Sequence, residues 1–182
     1  MDCIANMKTI IHPKIASSLL RNGNPLKDLI VLDKISIDGG EIWDREVTIL
    51  NCNIENLTCM MVYFDKPVTF KNCHFKNAIF NFSYFQKGLL IEDCIFDKYL
   101  DFEAGGHNEI GSPIIIKNNE FKEFVNFCDC WFTGKVEIIS NQFVKGTNIA
   151  SKDQYLTFDI PPIFKENIGQ LNIESECREE EQ

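Results

Sequence analysis

The chain is short of basic residues. Lysine and arginine total 18 against 27 aspartates and glutamates, for a formal charge of −9 in 182 residues. Basic side chains do most of the neutralising of nucleic-acid phosphates, so direct nucleic-acid binding is not expected. No apolar run approaches the ~18 residues of a membrane-spanning helix, and no membrane association is expected. The opening stretch, MDCIANMKTIIHPK, lacks the long apolar centre of a secretion signal. Eight cysteines are too sparse for a fold built on disulfides. They read as reduced, mostly buried thiols of a cytoplasmic protein. Gly-rich phosphate loops, EF-hand patterns and basic patches interleaved with aromatics are absent. Two Trp and four Tyr stand beside fifteen Phe, so something needs many flat apolar rings of one size.

That need shows in Val68–Gly88. Phe70, Phe75, Phe80 and Phe85 fall five residues apart, with Val68, Cys73, Ala78 and Ser83 two places before them. The stretch recurs along the chain with drift. One column holds Leu32, Ile54, Phe75, Phe96, Phe121 and Phe143, at steps of 22, 21, 21, 25 and 22 residues. Two places earlier runs Ile30, Cys52, Cys73, Cys94, Asn119 and Asn141. A third holds Ile49, Phe70, Ile91, Ile116, Ile138 and Phe164, preceded by Val47, Val68, Leu89, Ile114 and Val136. A fourth holds Ile42, Phe64, Phe85, Ile110 and Phe132. Between them lie Ile37, Cys59, Phe80, Phe102 and Phe127. Helical i, i+3, i+4 spacing is missing from 47–143, and no helix-length segments separate the apolar runs. Each repeat therefore reads as one turn of a coil whose short strands pair in parallel with the next turn, ~4.8 Å away. Like stacks on like, and several turns share a core that none could bury alone.

The triplets Cys73-His74-Phe75, Ala78-Ile79-Phe80 and Ser83-Tyr84-Phe85 resemble those of the pentapeptide-repeat proteins. Cys52-Asn53-Ile54, Cys94-Ile95-Phe96 and Cys130-Trp131-Phe132 follow the pattern more loosely. The resemblance covers residues 28–150 and is strongest over 47–96. It implies an all-β fold, a right-handed parallel β-helix of about six coils with four sides. Turns of 21–25 residues depart from the twenty of that family. Later repeats, IIIKNNEF and VEIISNQF, look more like the three-sided coils of pectate-lyase-like helices. Some pentapeptide-repeat proteins are acidic rods that mimic DNA and bind topoisomerases, which the charge permits here.

Residues 1–25 read as a cap over the open end of the coil. Pro13 starts a short helix with Ile15, Leu19 and Leu20 on one side, ended at Asn22-Gly23. Residues 26–175 form the β-helix and 176–182 a solvated acidic tail. The stretch 103–112, EAGGHNEIGS, lengthens one turn and is expected to bulge from the rod as a loop. Leu90, Ile95 and Ile115 fall at outward positions. Either the stretch 150–175 covers them or the chain self-associates.

Candidate sites follow from this register. Cys52, Cys73 and Cys94 share an interior column, where a thiol serves as a small hydrophobe. Asn119 and Asn141 continue it as an amide ladder. Cys128 and Cys130 are one residue short of a zinc-knuckle spacing and have no second pair. No metal and no cofactor are expected. Tyr63, Tyr84 and Trp131 form one outward column, which suits gripping a sugar ring or a protein partner. A place half-buried at the coil corners would explain it equally. Asp101, Glu103 and His107 lie at or beside the long third turn. Glycosidase chemistry would need two carboxyls facing across a cleft, and no nucleophile sits in a recognisable setting. The expected function is a non-catalytic scaffold that binds a protein partner through its long faces. Carbohydrate binding or processing, and DNA mimicry, are the alternatives. End-to-end self-assembly is a further one.

Overall fold

Parallel strands laid one turn above the next pair the backbone of the core. The computed structural model describes residues 8–37, 42–152 and 155–174. These form an all-β parallel solenoid of about seven turns, with one short helix near the N-terminus. The turn from Val68 shows the plan. Val68–Lys71 pairs with Leu89–Glu92, His74-Phe75 with Ile95-Phe96, Ala78-Ile79 with Leu100-Asp101, and Tyr84 bridges to Gly106. Each turn thus carries four paired segments, here called the first to fourth walls. The first wall stacks seven strands, from Leu26–Lys27 to Ile163–Lys165. In the strands Leu29–Ile37, Asn53–Cys59 and His74–Ile79, the second and third walls are continuous.

Most of the fifteen phenylalanines now have a use. Phe75, Phe96, Phe121 and Phe143 stack nearly parallel, with ring centroids 5.0, 5.2 and 4.9 Å apart. Phe80, Phe102 and Phe127 form a second stack at 5.2 and 4.9 Å. The coil repeat of ~4.8 Å sets these distances, because a planar ring fills one turn's height. An aliphatic side chain in the same column would interdigitate less completely.

Two kinds of internal ladder satisfy the buried polar groups that lead into the second wall. Asn119 Nδ2 donates to Asn141 Oδ1 at 2.9 Å, and Asn141 Nδ2 to Asn167 Oδ1 at 3.0 Å. Each amide oxygen also accepts a backbone N–H from the turn before it: Cys94 N to Asn119, Asn119 N to Asn141, and Asn141 N to Asn167. The expected amide ladder is present, and Asn167 extends it. In the earlier turns the cysteines take that place. Cys73 Sγ accepts from Cys52 N at 3.4 Å and donates to Ile49 O at 3.3 Å.

The register differs from the sequence reading at the two irregular turns. In the first, Val31 and Ile54 pair, so Leu32 faces solvent and Leu29 stands where Ile30 was expected. The cause is a bulge between Val31 and Lys34, which adds a residue to that turn. At the fourth wall, Trp43 rather than Ile42 pairs with Phe64. Ile110 lies outside the core altogether. The stack is also about one turn longer than expected. Thr9–Ile11 already pairs with Leu29–Val31, and Ile163–Lys165 closes the first wall at the other end.

The helix α1 (Pro13–Arg21) sits between the first two strands. His12 Nδ1 accepts from Lys14 N at 3.2 Å as its N-cap, and Gly23 takes a positive φ of 72° beyond its end. Its inward face is Ala16 and Leu20, both fully buried, with Leu19 packed beside them, while Ile15 is exposed. Ala16 rather than Ile15 faces the stack because a small side chain lets the helix approach. Among the described residues, 155–174 extend the stack as its last turn and do not lie over Leu90 or Ile115. The expected tail, 176–182, lies outside the described residues.

Candidate functional site

Two columns of the coil turn the chain sharply. Residues there adopt the left-handed conformation, which costs a non-glycine residue ~1–2 kcal/mol unless its side chain is Asn or Asp. One column precedes the second wall and reads Asp28, Asn51, Asn72, Asp93, Asn118, Ser140 and Glu166, with φ between 50° and 57°. Polar side chains that tolerate this conformation occupy it almost throughout. Some also bond along the axis: Asn72 Nδ2 donates to Asn51 Oδ1 at 3.1 Å. The other column precedes the fourth wall and reads Met61, Phe82, Ala104, Asp129 and Tyr155, with φ between 51° and 56°. Only Asp129 suits the backbone there.

Two residues further on in each turn is the outward column of the fourth wall. Tyr63, Tyr84, Gly106, Trp131 and Thr157 pair in sequence across the turns. The structure thus brings Tyr63, Tyr84 and Trp131 into one row, as the spacing requires, and adds His107 to it. The Tyr63 and Tyr84 rings meet edge to face at 4.6 Å. His107 lies 3.9 Å from Tyr84 and 5.5 Å from Trp131, centroid to centroid. The Trp131 indole N–H donates to Asp159 Oδ1 at 3.0 Å. Burial holds the His107 pKa below its ordinary value, against the opposing pull of Asp129. Tyr84 is raised, first by burial and then by its Tyr63 neighbour.

The long third turn is less of a loop than its composition suggests. Gly105, Gly106 and Asn108 are buried, and only Glu109–Gly111 protrude. Gly106 is required: at φ +96° a Cβ would stand 2.5 Å from the Trp131 carbonyl oxygen. Asn108 ties the segment down, its Nδ2 donating to Ser112 O at 2.9 Å and Lys135 O at 3.2 Å. The added residues therefore emerge after the fourth wall, and the aromatic row passes through the turn without a break.

Asp101 and Glu103 are not part of that row. Asp101 is on the outer side of the third wall, where its Oδ1 accepts from Asn126 Nδ2 at 3.0 Å and from Glu103 N at 3.1 Å. Glu103 follows at the corner. Burial pushes the enclosed Cys130 thiol upward in pKa; a backbone bond from Gly105 opposes this, and the Asp101, Asp129 and Glu103 charges add to it.

The raised pKa values of Cys52, Cys73 and Cys130 make these thiols poor ligands and poor nucleophiles. Cys73 is pushed up to about 12: the Cys52 contact draws it down, but the Cys94 contact and burial outweigh that. Cys52 is raised further, by its bond to Cys73 and by burial. Cys52, Cys59, Cys73, Cys94 and Cys130 are free and buried. Cys128 is disulfide-bonded, against the expectation of reduced thiols throughout. Among the described residues, no group of three or more His, Cys, Asp or Glu could hold a metal ion.

An open hollow of about 450 Å³ runs along the first corner, lined by Asp93, Asn118, Glu120, Ser140, Gln142 and Ile168. The sequence reading did not single it out. It also missed Met61, Phe82, Asp129 and Tyr155, although their steps of 21, 47 and 26 residues fit the coil repeat. No helix among the described residues is long and apolar enough to cross a membrane. No family model, no curated protein and no solved structure matches the chain.

Proposed function

We propose that the chain is a non-catalytic solenoid scaffold of pentapeptide-repeat type, right-handed, that binds a protein partner through its fourth wall. One observation carries this reading. The interior is filled by stacked rings, while the outer face of the fourth wall carries a continuous aromatic row, in which Tyr63 and Trp131 are 40% and 46% exposed. A rod of this kind offers long surfaces in place of a deep pocket. Tyr and Trp on such a surface supply contact area at little entropic cost.

Carbohydrate binding is the second reading, and it draws on the hollow at the first corner. Asn118, Ser140 and Gln142 there repeat hydrogen-bonding groups turn by turn, as a polymer of hydroxylated rings would need. The aromatic row supports it less, because Tyr63 and Tyr84 meet edge to face and His107 tilts against Tyr84, so the row presents no flat platform for a sugar ring.

Affinity capture from native cells, with wild type beside a Tyr63→Ser/Trp131→Ser variant, tests the reading. A defined protein retained by wild type and lost by the variant is the expected result. The same proteins on both, or retention only of glycans displaced by Asn118→Ala/Gln142→Ala, would overturn it.

A further inference from the structure

The two left-handed corners form an internal control. Both demand the same backbone conformation, in the same fold, turn after turn. At the first corner the chain meets the demand with Asp, Asn and other polar residues. At the third corner it places Met61, Phe82 and Tyr155, which neither suit the backbone nor are buried: they are 55%, 46% and 79% exposed. Folding therefore does not account for these side chains, and strain retained at an exposed site points to function.

Their position defines a surface. Each lies two residues before a member of the fourth-wall row, so Met61 precedes Tyr63, Phe82 precedes Tyr84 and Tyr155 precedes Thr157. The two columns run side by side for five turns, a strip of about 19 Å at the coil repeat. Ala104 lowers the corner column in the middle, where His107 beside Gly106 keeps a ring in the row. Asp129 stands in the corner column directly after that dip, two residues before Trp131, and Asp159 holds the Trp131 indole. Two cations of the rod are already committed: Lys87 pairs with Glu109 at 2.5 Å, and Arg45 with Asp44 at 2.5 Å.

We propose that this strip docks an arginine-bearing cationic segment of a partner protein, with guanidinium groups laid against the exposed rings and paired with Asp129. The inference rests on the scaffold reading above and adds the chemistry of the partner. Rings beside a carboxylate suit a guanidinium better than an ammonium, because it is planar, weakly hydrated and able to stack while bonding. A chain of charge −9 is drawn to a basic partner and repels its own copies. It has three arginines to offer a second copy; Arg21 lies over Trp43, and Arg45 is paired. A second copy is therefore the poorer occupant.

The test is calorimetric titration of the full chain with three 16-residue peptides, (Arg-Ser-Leu-Ala)4 and its Lys and Glu counterparts. The Arg peptide is expected to bind at least tenfold tighter than the Lys peptide, and the Glu peptide not at all. Asp129→Asn and Trp131→Ser should each weaken the Arg peptide fivefold or more. Met61→Asn and Tyr155→Asn should weaken it while leaving Tm at or above wild type, since Asn suits the corner better. Equal binding of the Arg and Lys peptides would overturn the assignment. So would an equal loss in Glu123→Gln, an exposed carboxylate at another corner, which would reduce the effect to net charge. If cellular capture still depends on Trp131 while the peptides are not discriminated, the guanidinium assignment fails and the scaffold reading stands. Loss of both would sink both.

Discussion

Single residues carry unusual weight where the coil turns or where an amide replaces a strand partner. Asn141 stands in the middle of the interior ladder, accepting from Asn119 N and Nδ2 and donating to Ile116 O. Asn141→Leu fills the space but leaves buried donors unpaired, at ~1–3 kcal/mol each. Urea unfolding should show a loss of about 3 kcal/mol or more. Gly106 and Gly111 make a matched pair, both at positive φ. Gly111→Ala meets nothing within 4 Å and should cost only the backbone strain, ~1–2 kcal/mol. Gly106→Ala would drive a methyl into the Trp131 carbonyl, so its Tm should fall well below that of Gly111→Ala.

His107 gives a pH signature. Its folded pKa lies below the ordinary value, chiefly through burial, so the folded state binds the proton less readily than the unfolded chain. Its contribution is complete above the unfolded value of ~6.5 and is lost as pH falls below it. His107→Asn keeps a residue that tolerates φ 54° and removes the titration. Wild type should lose Tm between pH 7 and pH 5 relative to this variant. Parallel curves would show that His107 does not titrate differently on folding.

At the scale of elements, α1 contributes through one edge. Leu20 is fully buried in the core cluster, whereas Ile15 is exposed. Leu20→Ala should cost ~2–5 kcal/mol, and Ile15→Ala less than about 0.5 kcal/mol. Chemical denaturation of the two variants checks the assignment of faces. The repeat columns were legible because parallel stacking places like residues at a constant interval. Phe75 over Phe96, Phe70 over Ile91 and Phe80 over Phe102 could be read from spacing alone. Leu32 and Ile110 could not, because a bulge and a protruding turn change the count without changing composition. The helix face was misread at Ile15 because periodicity alone does not reveal that small Ala16 is the closer fit.

Over the whole molecule, stability runs along one axis, since each turn touches chiefly the turns beside it. The N-terminal end is covered by Ala16 and Leu20 of α1, while Phe158, Phe164 and Leu171 of the last turn are only partly buried. Hydrogen exchange should therefore be slowest in the middle turns, around Phe70, Ile91 and Ile116. It should be faster in the first turn and fastest over 155–174. Uniform protection along the chain would mean that the solenoid opens as a single unit.

The sequence by itself determined the coil: a recurring interval of apolar residues, too long for a helix and too regular for separate strands, leaves stacked parallel turns as the way to bury them. It also determined the aromatic row, because Tyr63, Tyr84 and Trp131 share that interval. Tertiary structure alone decided what surrounds the row. Backbone handedness at a corner does not show in residue type when Met, Phe and Tyr occupy it. Whether a glycine-rich stretch protrudes or packs depends on how closely the next turn approaches. Those two facts put Met61, Phe82, Asp129 and Tyr155 beside the row and moved Asp101 away from it.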